Sequence, residues 1–387
     1  MDKQVLLSAF AERFGQTGAV YASPGRINLI GEHTDYNGGF VFPGAVQQGI
    51  MAVIRANGTD TVRAYSLDLH DYAEWPVTDE KGPESTCFRF VYGIARELIE
   101  HGVAVTGFDT VFAGDVPLGA GMSSSAALES CFAFGLNDLF HGSLTKWDFV
   151  LAGQATEHKY IGCNCGIMDQ FASVFGQANK LMRLDCRSRE FEYFPFEPKG
   201  YRLVLVNSCV KHELAGSPYN DRRRSCERVV AAIQALHPER TIETLRDCTW
   251  EDLERVKELR SEGVKEEDLQ RATFVLGEKD RVLAVCEALN KGDYEEVGRQ
   301  MYRTHEGLSK EYEVSCEELD FLNDIARECG VTGSRIMGGG FGGCTINLVK
   351  DELYEAFTKR AIEAFEAKYG HKPVIIDVVI GDGSRKV

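Results

Sequence analysis

Gly338, Gly339, Gly340, Gly342 and Gly343 put five glycines into six positions, interrupted only by Phe341. Each glycine inside a helix or strand costs about 0.5–1 kcal/mol relative to alanine, so this stretch is neither. It belongs to a longer segment, 333–345, that begins Gly-Ser-Arg-Ile-Met and leads into an apolar, strand-like stretch at 345–349. A backbone this bare is suited to close approach, against a ligand or against other segments of the chain. Two other segments are candidates.

The first, residues 24–37, reads Pro-Gly-Arg-Ile-Asn-Leu-Ile-Gly-Glu-His-Thr-Asp-Tyr-Asn. Arg26 offers a rigid fork of donors suited to phosphate oxygens. Glu32, His33 and Asp35 offer donors and acceptors spaced closely enough to grip several hydroxyls of one small polyol. It reads as a loop for a polar ligand that carries or receives a phosphate; a surface loop with capping Asp and Asn residues is the plainer alternative. The second segment, 117–129, reads Pro-Leu-Gly-Ala-Gly-Met-Ser-Ser-Ser-Ala-Ala-Leu-Glu. It follows a strand-like stretch at 107–115 and opens a helical pattern with Leu128, Cys131, Phe132 and Leu136 on one face. A strand, a small-residue turn and a helix N-terminus make an anion site, for which a nucleotide polyphosphate is the natural guest. Walker A would need a Lys before the Ser, and the Rossmann fingerprint a third Gly where Ser124 stands. Alone, the turn would equally suit a serine-capped helix start.

In this order and spacing the three segments resemble the three motifs of the GHMP kinases. Within that superfamily the first is similar, almost letter for letter, to the galactokinase signature. The similarity runs from about residue 21 to about 349 and includes Cys-Asn-Cys-Gly-Ile-Met-Asp-Gln-Phe at 163–171 and the segment 219–226. The resemblance implies an α+β, two-lobed GHMP kinase fold with the active site in the cleft between lobes. It implies ATP-dependent phosphorylation of the anomeric C1 hydroxyl of D-galactose to α-D-galactose 1-phosphate and ADP, the first committed step of the Leloir pathway. By the same resemblance Asp169 is the catalytic base and Arg26 stabilises transition-state charge. Glu32, His33, Thr34, Asp35, Gly166 and Tyr219 fall where the family contacts the sugar. Gly119, Ala120, Gly121, Met122, Ser123, Ser124 and Ser125 match the ATP loop, Ser66 a further ATP contact, and Ser125 and Glu157 the Mg²⁺ ligands. Met337 stands where Thr is usual and Gly339 where Ala is usual; neither change removes a charge, so they bear on nucleotide affinity rather than on the reaction.

The residue types suit that chemistry independently. Phosphoryl transfer needs chiefly positioning and electrostatic stabilisation, because charge spreads over the equatorial oxygens of the transferring group. A hydroxyl nucleophile must also lose its proton, and an aspartate, with a reference pKa of about 3.9, accepts it late while orienting the hydroxyl. On the helical pattern at 147–160 alone, Glu157 reads as solvated; Mg²⁺, which takes one or two protein oxygens beside phosphates and waters, gives it another use. Asp221-Arg222-Arg223-Arg224 reads as a solvated helix face beside the sugar site.

A formal charge of −16 over 387 residues, with 44% apolar residues, fits a protein with large cores and argues against nucleic acid or an anionic membrane as partner. Small-molecule substrates, a cytoplasmic location and a monomer are expected, with self-association left open. The N-terminus opens no signal-like pattern, and no run approaches the ~20 apolar residues of a membrane span. The twelve cysteines are scattered, so reduced thiols are expected, with Cys186, Cys209, Cys286 and Cys344 in apolar or strand-like surroundings.

Helices are predicted at 5–14, 88–101, 124–160, through long patterns up to 324, and at 352–369; strands at 49–56, 61–66, 181–185, 191–194, 201–207, 345–349 and 374–380. Strands and helices are not regularly interleaved, which favours α+β over doubly wound α/β. An N-terminal lobe is expected over 1–185, carrying the sugar signature and the ATP loop, and a C-terminal lobe with the third motif over 186–387.

Overall fold

The computed structural model describes residues 2–117, 119–210 and 218–387; Leu118 of the second motif lies outside them. In chain order its strands are β1 (Ala19–Asn28), β2 (Phe40–Val41), β3 (Pro43–Ala56), β4 (Thr61–Ser66), β5 (Asp71–Pro76), β6 (Phe108–Gly114), β7 (Lys180–Asp185), β8 (Phe191–Pro195), β9 (Tyr201–Asn207), β10 (Gly333–Ile336), β11 (Cys344–Lys350), β12 (Val374–Asp377) and β13 (Arg385–Lys386). The α-helices are α1 (Lys3–Phe14), α2 (Thr86–Glu100), α3 (Ser124–Leu139), α4 (Lys146–Thr156), α5 (Met168–Phe175), α6 (Pro218–Leu236), α7 (Trp250–Leu259), α8 (Glu266–Lys291), α9 (Tyr294–Lys310), α10 (Glu317–Glu328) and α11 (Tyr354–Tyr369). The α+β expectation holds.

Six strands form one sheet in the order β13-β1-β3-β6-β4-β5, antiparallel except for the β4–β6 pair. Its two faces follow from side-chain alternation. Val20, Val53 and Val111 sit in register across β1, β3 and β6 and pack beneath Leu6 and Phe10 of α1. One residue along, Tyr21, Ala52 and Phe112 point the other way, against Phe132 of α3 and the helices around it. A second sheet, β10-β11-β9-β12, alternates in the same manner. Leu203, Leu205, Ile346 and Leu348 face a core with Val282 and Met301 of α8 and α9. Val204, Val206 and Val349 face Leu322, Phe357 and Phe365 of α10 and α11.

The halves are closely tied. The hairpin β7–β8 spans residue 185, and Ile27, Leu29 and Ile30 of the first motif share a core with Leu203, Ile346 and Met337. The chain end crosses back: β12 closes the second sheet, Ile380 bridges to Val46, and β13 pairs with β1. Three sequence expectations need correction. The third motif is not all loop, because Gly333–Ile336 pairs with β11 before the glycines begin. The strand expected at 374–380 ends at Asp377. Cys209 is exposed in a left-handed turn at φ 60; all twelve cysteines are free thiols.

Candidate active site

The glycines of the three motifs are explained by one another. A Cβ on Gly25 would lie 2.5 Å from the Met122 carbonyl, to which the Arg26 N–H donates at 3.0 Å. Gly338 and Gly343, both at φ +81, would place a Cβ 3.2 Å from the Gly121 carbonyl and 3.1 Å from that of Gly119. The second-motif loop is thus held between the first motif and the third, as the bare backbone at 338–343 leads one to expect.

At this junction Arg26 donates through Nε and Nη2 to the two oxygens of Asp169, at 2.7 and 2.8 Å, and through Nη1 to the Gly121 carbonyl. The Ser123 hydroxyl donates to Asp169 Oδ2. Arg26 is buried, and Asp169, in the first turn of α5, is 31% exposed and open to a ligand. Burial opposes the Arg26 charge, but Asp169, Glu32 and Asp35 outweigh it and raise its pKa. Ser123 is the N-cap residue of α3, at φ 56, and its side chain does not cap the helix. The first-turn N–H groups of α3 therefore keep their capacity for an anion.

Behind Asp169 lies a carboxylate cluster. Glu157 opens a π-turn, Glu157–Ile161, at the end of α4, a feature frequent at functional sites. It is buried, contrary to a reading of that helix as solvated. Burial pushes its carboxyl up to about 7, with the Ser125 hydroxyl acting against that and Asp169 adding to it. Glu129, one turn after Ser125 on α3, is buried too: Oε2 accepts from Gln170 Nε2 at 3.0 Å and Oε1 has no partner. Burial, then the neighbouring Glu157, raises its pKa well above the usual range. Such a surplus of hard oxygens fits a divalent cation. Among the described residues no group of three or more His, Cys, Asp and Glu forms a ready-made metal centre.

The sugar-predicted residues divide. His33, at φ 59, packs its ring 5.4 Å from that of Tyr219 and 4.8 Å from that of Tyr312. Asp35 Oδ1 accepts from the Tyr36 N–H at 2.9 Å, and a Cβ on Gly166 would fall 2.0 Å from Asp35 Oδ2. Glu32 is tied to the third motif: its Oε1 accepts from Arg335 Nη1 and Nη2 at 3.1 Å and from the Gly338 N–H at 2.8 Å. The Thr34 hydroxyl is buried against the Gly31 and Phe40 carbonyls, and so shapes the loop. Ser66, at the end of β4, is buried beside Cys87.

Two expected results follow from this packing. On the expectation that Asp35 holds a sugar hydroxyl, Gly166→Ala, which forces the Asp35 carboxylate aside, should raise KM for the sugar at least about tenfold, a loss of roughly one buried, charge-assisted hydrogen bond. An unchanged KM would show that Asp35 is not held for ligand binding. Asp35 itself titrates high, near 6 against an ordinary 3.8, because of burial and then the Asp169 charge. The folded state therefore holds that proton more tightly than the unfolded chain, and the resulting stability is lost as pH rises through about 6. Asp35→Asn should stabilise the ligand-free protein at about pH 8 by on the order of 1–2 kcal/mol, discounted for partial exposure, with the gain shrinking towards about pH 4. Thermal midpoints across that range check it, and a midpoint lower than wild type at high pH contradicts it.

The reading of residues 221–224 as a solvated face is corrected in one position. Asp221 and Arg224 are exposed, but Arg222 lies on the same face of α6 as Tyr219 and is buried, donating through Nε to the Tyr312 carbonyl at 2.7 Å and through Nη2 to that of Glu313. The spacing Tyr219, Arg222, Cys226 was the available signal. Sequence reasoning also passed over Glu129, Gln170, Arg335 and Tyr312. Glu129 could have been found from its helical spacing to Ser125; Arg335 and Tyr312 carried no local signal.

Family models match three stretches of the chain: the galactokinase galactose-binding signature at residues 8–56, the GHMP kinases N terminal domain at 89–177 and the GHMP kinases C terminal domain at 286–367. A galactokinase of Clostridium beijerinckii is 37% identical over 99% of this chain and 98% of its own. One from Exiguobacterium sibiricum is 38% identical over 100% and 99%. The crystal structure of Lactococcus lactis galactokinase complexed with galactose matches with a TM-score of 0.92 at 34% identity, covering 99% of both chains. Methanococcus jannaschii mevalonate kinase, 17% identical over 95% of this chain and all of its own, shares the fold at a TM-score of 0.66.

Proposed function

The chain belongs to the galactokinase family of the GHMP kinases, and from that premise we propose how its residues perform the reaction. The enzyme transfers the γ-phosphoryl group of ATP to the C1 hydroxyl of D-galactose. Asp169 orients that hydroxyl and takes its proton as the oxygen bonds to phosphorus and the bond to the departing ADP breaks. Arg26 aligns Asp169 through two parallel hydrogen bonds and brings positive charge to the edge of the phosphoryl path. His33, Asp35 and Tyr219 hold the sugar, with Gly166 leaving room for the Asp35 carboxylate. Glu32 and Thr34 act from behind, fixing the loop. The 119–125 loop and the uncapped N-terminus of α3 take the polyphosphate, and Ser66 is a further ATP contact. Ser125 and Glu157 would hold Mg²⁺, whose charge offsets that of the transferring phosphate when bound. The observation that carries this reading is the Arg26–Asp169–Ser123 constellation at the junction of the three motifs.

The same reading divides the molecule into two lobes near residue 185, joined by the β7–β8 hairpin and a shared core, and makes it a cytoplasmic monomer acting on small molecules. Among the described residues no helix is long and apolar enough to cross a membrane. The test is ADP release from ATP and Mg²⁺ with D-galactose, N-acetylgalactosamine, L-arabinose and glucose offered separately, with ³¹P NMR of the product. Galactose-dependent formation of an anomeric phosphate is expected. Preference for another sugar would change the substrate and keep the mechanism; binding of galactose without turnover would make the protein a sensor.

A further inference from the structure

Behind the proposed sugar site runs an unbroken chain of polar side chains. His33 Nδ1 lies 2.7 Å from the Tyr36 hydroxyl, which lies 2.8 Å from that of Tyr312, which in turn lies 3.3 Å from Cys226 Sγ. Arg222 pins the backbone here by donating to the carbonyls of Tyr312 and Glu313. At the other end His33 Nε2 is buried without a hydrogen-bond partner. Nothing in the mechanism uses Tyr36, Tyr312 or Cys226.

The direction of these hydrogen bonds follows from counting protons. Burial keeps both phenols and the thiol protonated and the imidazole neutral, so each link needs one proton and the ring has one N–H to place. In one direction Cys226 donates to Tyr312, Tyr312 to Tyr36 and Tyr36 to His33 Nδ1, which leaves the ring proton on Nε2. In the other, Nδ1–H starts the chain and Tyr312 ends it on sulfur. That sulfur, a weak acceptor, already takes a hydrogen bond from Asn37 Nδ2 at 3.6 Å, and its own S–H is left without an acceptor in the chain. The sulfur end selects the first direction.

We propose that Tyr36, Tyr312 and Cys226 form a one-way relay that fixes His33 as its Nε2–H tautomer and so makes it a hydrogen-bond donor to one sugar hydroxyl. The proposal deepens the sugar-binding reading of His33 and rests on it. The three residues are positioning residues acting through His33. A site set this way accepts an oxygen with a free lone pair and refuses an ammonium at the same carbon, so it discriminates against amino sugars at that position.

The test is long-range ¹H–¹⁵N correlation of the full-length protein with ¹⁵N-labelled histidine, with and without D-galactose, in wild type, Tyr36→Phe and Cys226→Ser. Wild-type His33 is expected to show a protonated Nε2 and a bare Nδ1 before sugar is added. Cys226→Ser keeps a donor and should keep that pattern. Tyr36→Phe removes the donor to Nδ1 and should release Nδ1-protonated ring, raising KM for galactose by about five- to tenfold, the worth of one hydrogen bond, with kcat nearly unchanged. The monodeoxy galactose that lacks the contacted hydroxyl should show no such rise. A wild-type ring protonated at Nδ1, or an unchanged tautomer and KM in Tyr36→Phe, overturns the proposal. The ligand-free wild-type spectrum decides even if the variant does not fold. An Nε2–H ring in a protein that fails to bind galactose would overturn the sugar reading instead.

Discussion

Asp169→Asn is expected to lower turnover by about 10²-fold or more while leaving galactose affinity within a few-fold of wild type. The amide keeps the shape of the carboxylate but cannot accept the hydroxyl proton, and general-base assistance of this kind is worth about 10²–10⁴. It also disturbs the partner: Arg26 donates to both oxygens of Asp169, and an amide presents an N–H to one of those donors. Some of the loss will therefore come from a misplaced guanidinium. Arg26→Lys, which retains charge but not the parallel fork, separates the two contributions, since it should lose rate without removing the proton acceptor. Steady-state kinetics with isothermal titration of galactose measure both quantities. Turnover near wild type in Asp169→Asn would remove Asp169 from the role of base.

The largest effect on stability is expected from Arg335→Met. Arg335 is fully buried, donates through Nε to the Leu29 carbonyl at 2.8 Å, and pairs with the equally buried Glu32. Its remaining donors go to the Asn28 and Ile336 carbonyls. Removing it leaves the Glu32 carboxylate buried with the Gly338 N–H as its remaining partner, and breaking one side of a buried pair costs about 3–5 kcal/mol. Urea unfolding should register that loss. The double variant Arg335→Met, Glu32→Gln should recover part of it, because the stranded charge is gone. A double variant no more stable than the single one would mean that the carbonyl contacts of Arg335, rather than the ion pair, hold the first and third motifs together.

The three motifs were legible because each is local: glycines that permit close approach, serines at a helix start and a dense polar run all announce themselves within about a dozen residues. Their mutual contacts were legible in outline, since a bare backbone must pack against something. Glu32 shows where local reading stops. Its place in the polar run put it among the sugar contacts, but nothing local showed its partner Arg335, 303 positions away, which only the folded chain brings to it. Arg222 fails for a similar reason, because a basic run looks solvated until α6 turns one of its members inward toward Tyr312. Glu157 needed the family resemblance, as its helical pattern gives no hint of burial or of a π-turn. The strand β10 was hidden by the glycines that follow it, and its pairing with β11 across the turn outweighs the poor strand propensity of its first residue.

The most direct single measurement is a crystal structure with D-galactose and a non-hydrolysable ATP analogue bound together. Expected is the C1 oxygen about 2.6–3.2 Å from the Asp169 carboxylate, with the γ-phosphate beside Arg26 and the N-terminus of α3 and with His33 and Asp35 on other hydroxyls. A different hydroxyl facing Asp169, or a sugar bound away from it while the carboxylate stays closed on Arg26 and Ser123, would contradict the proposed site.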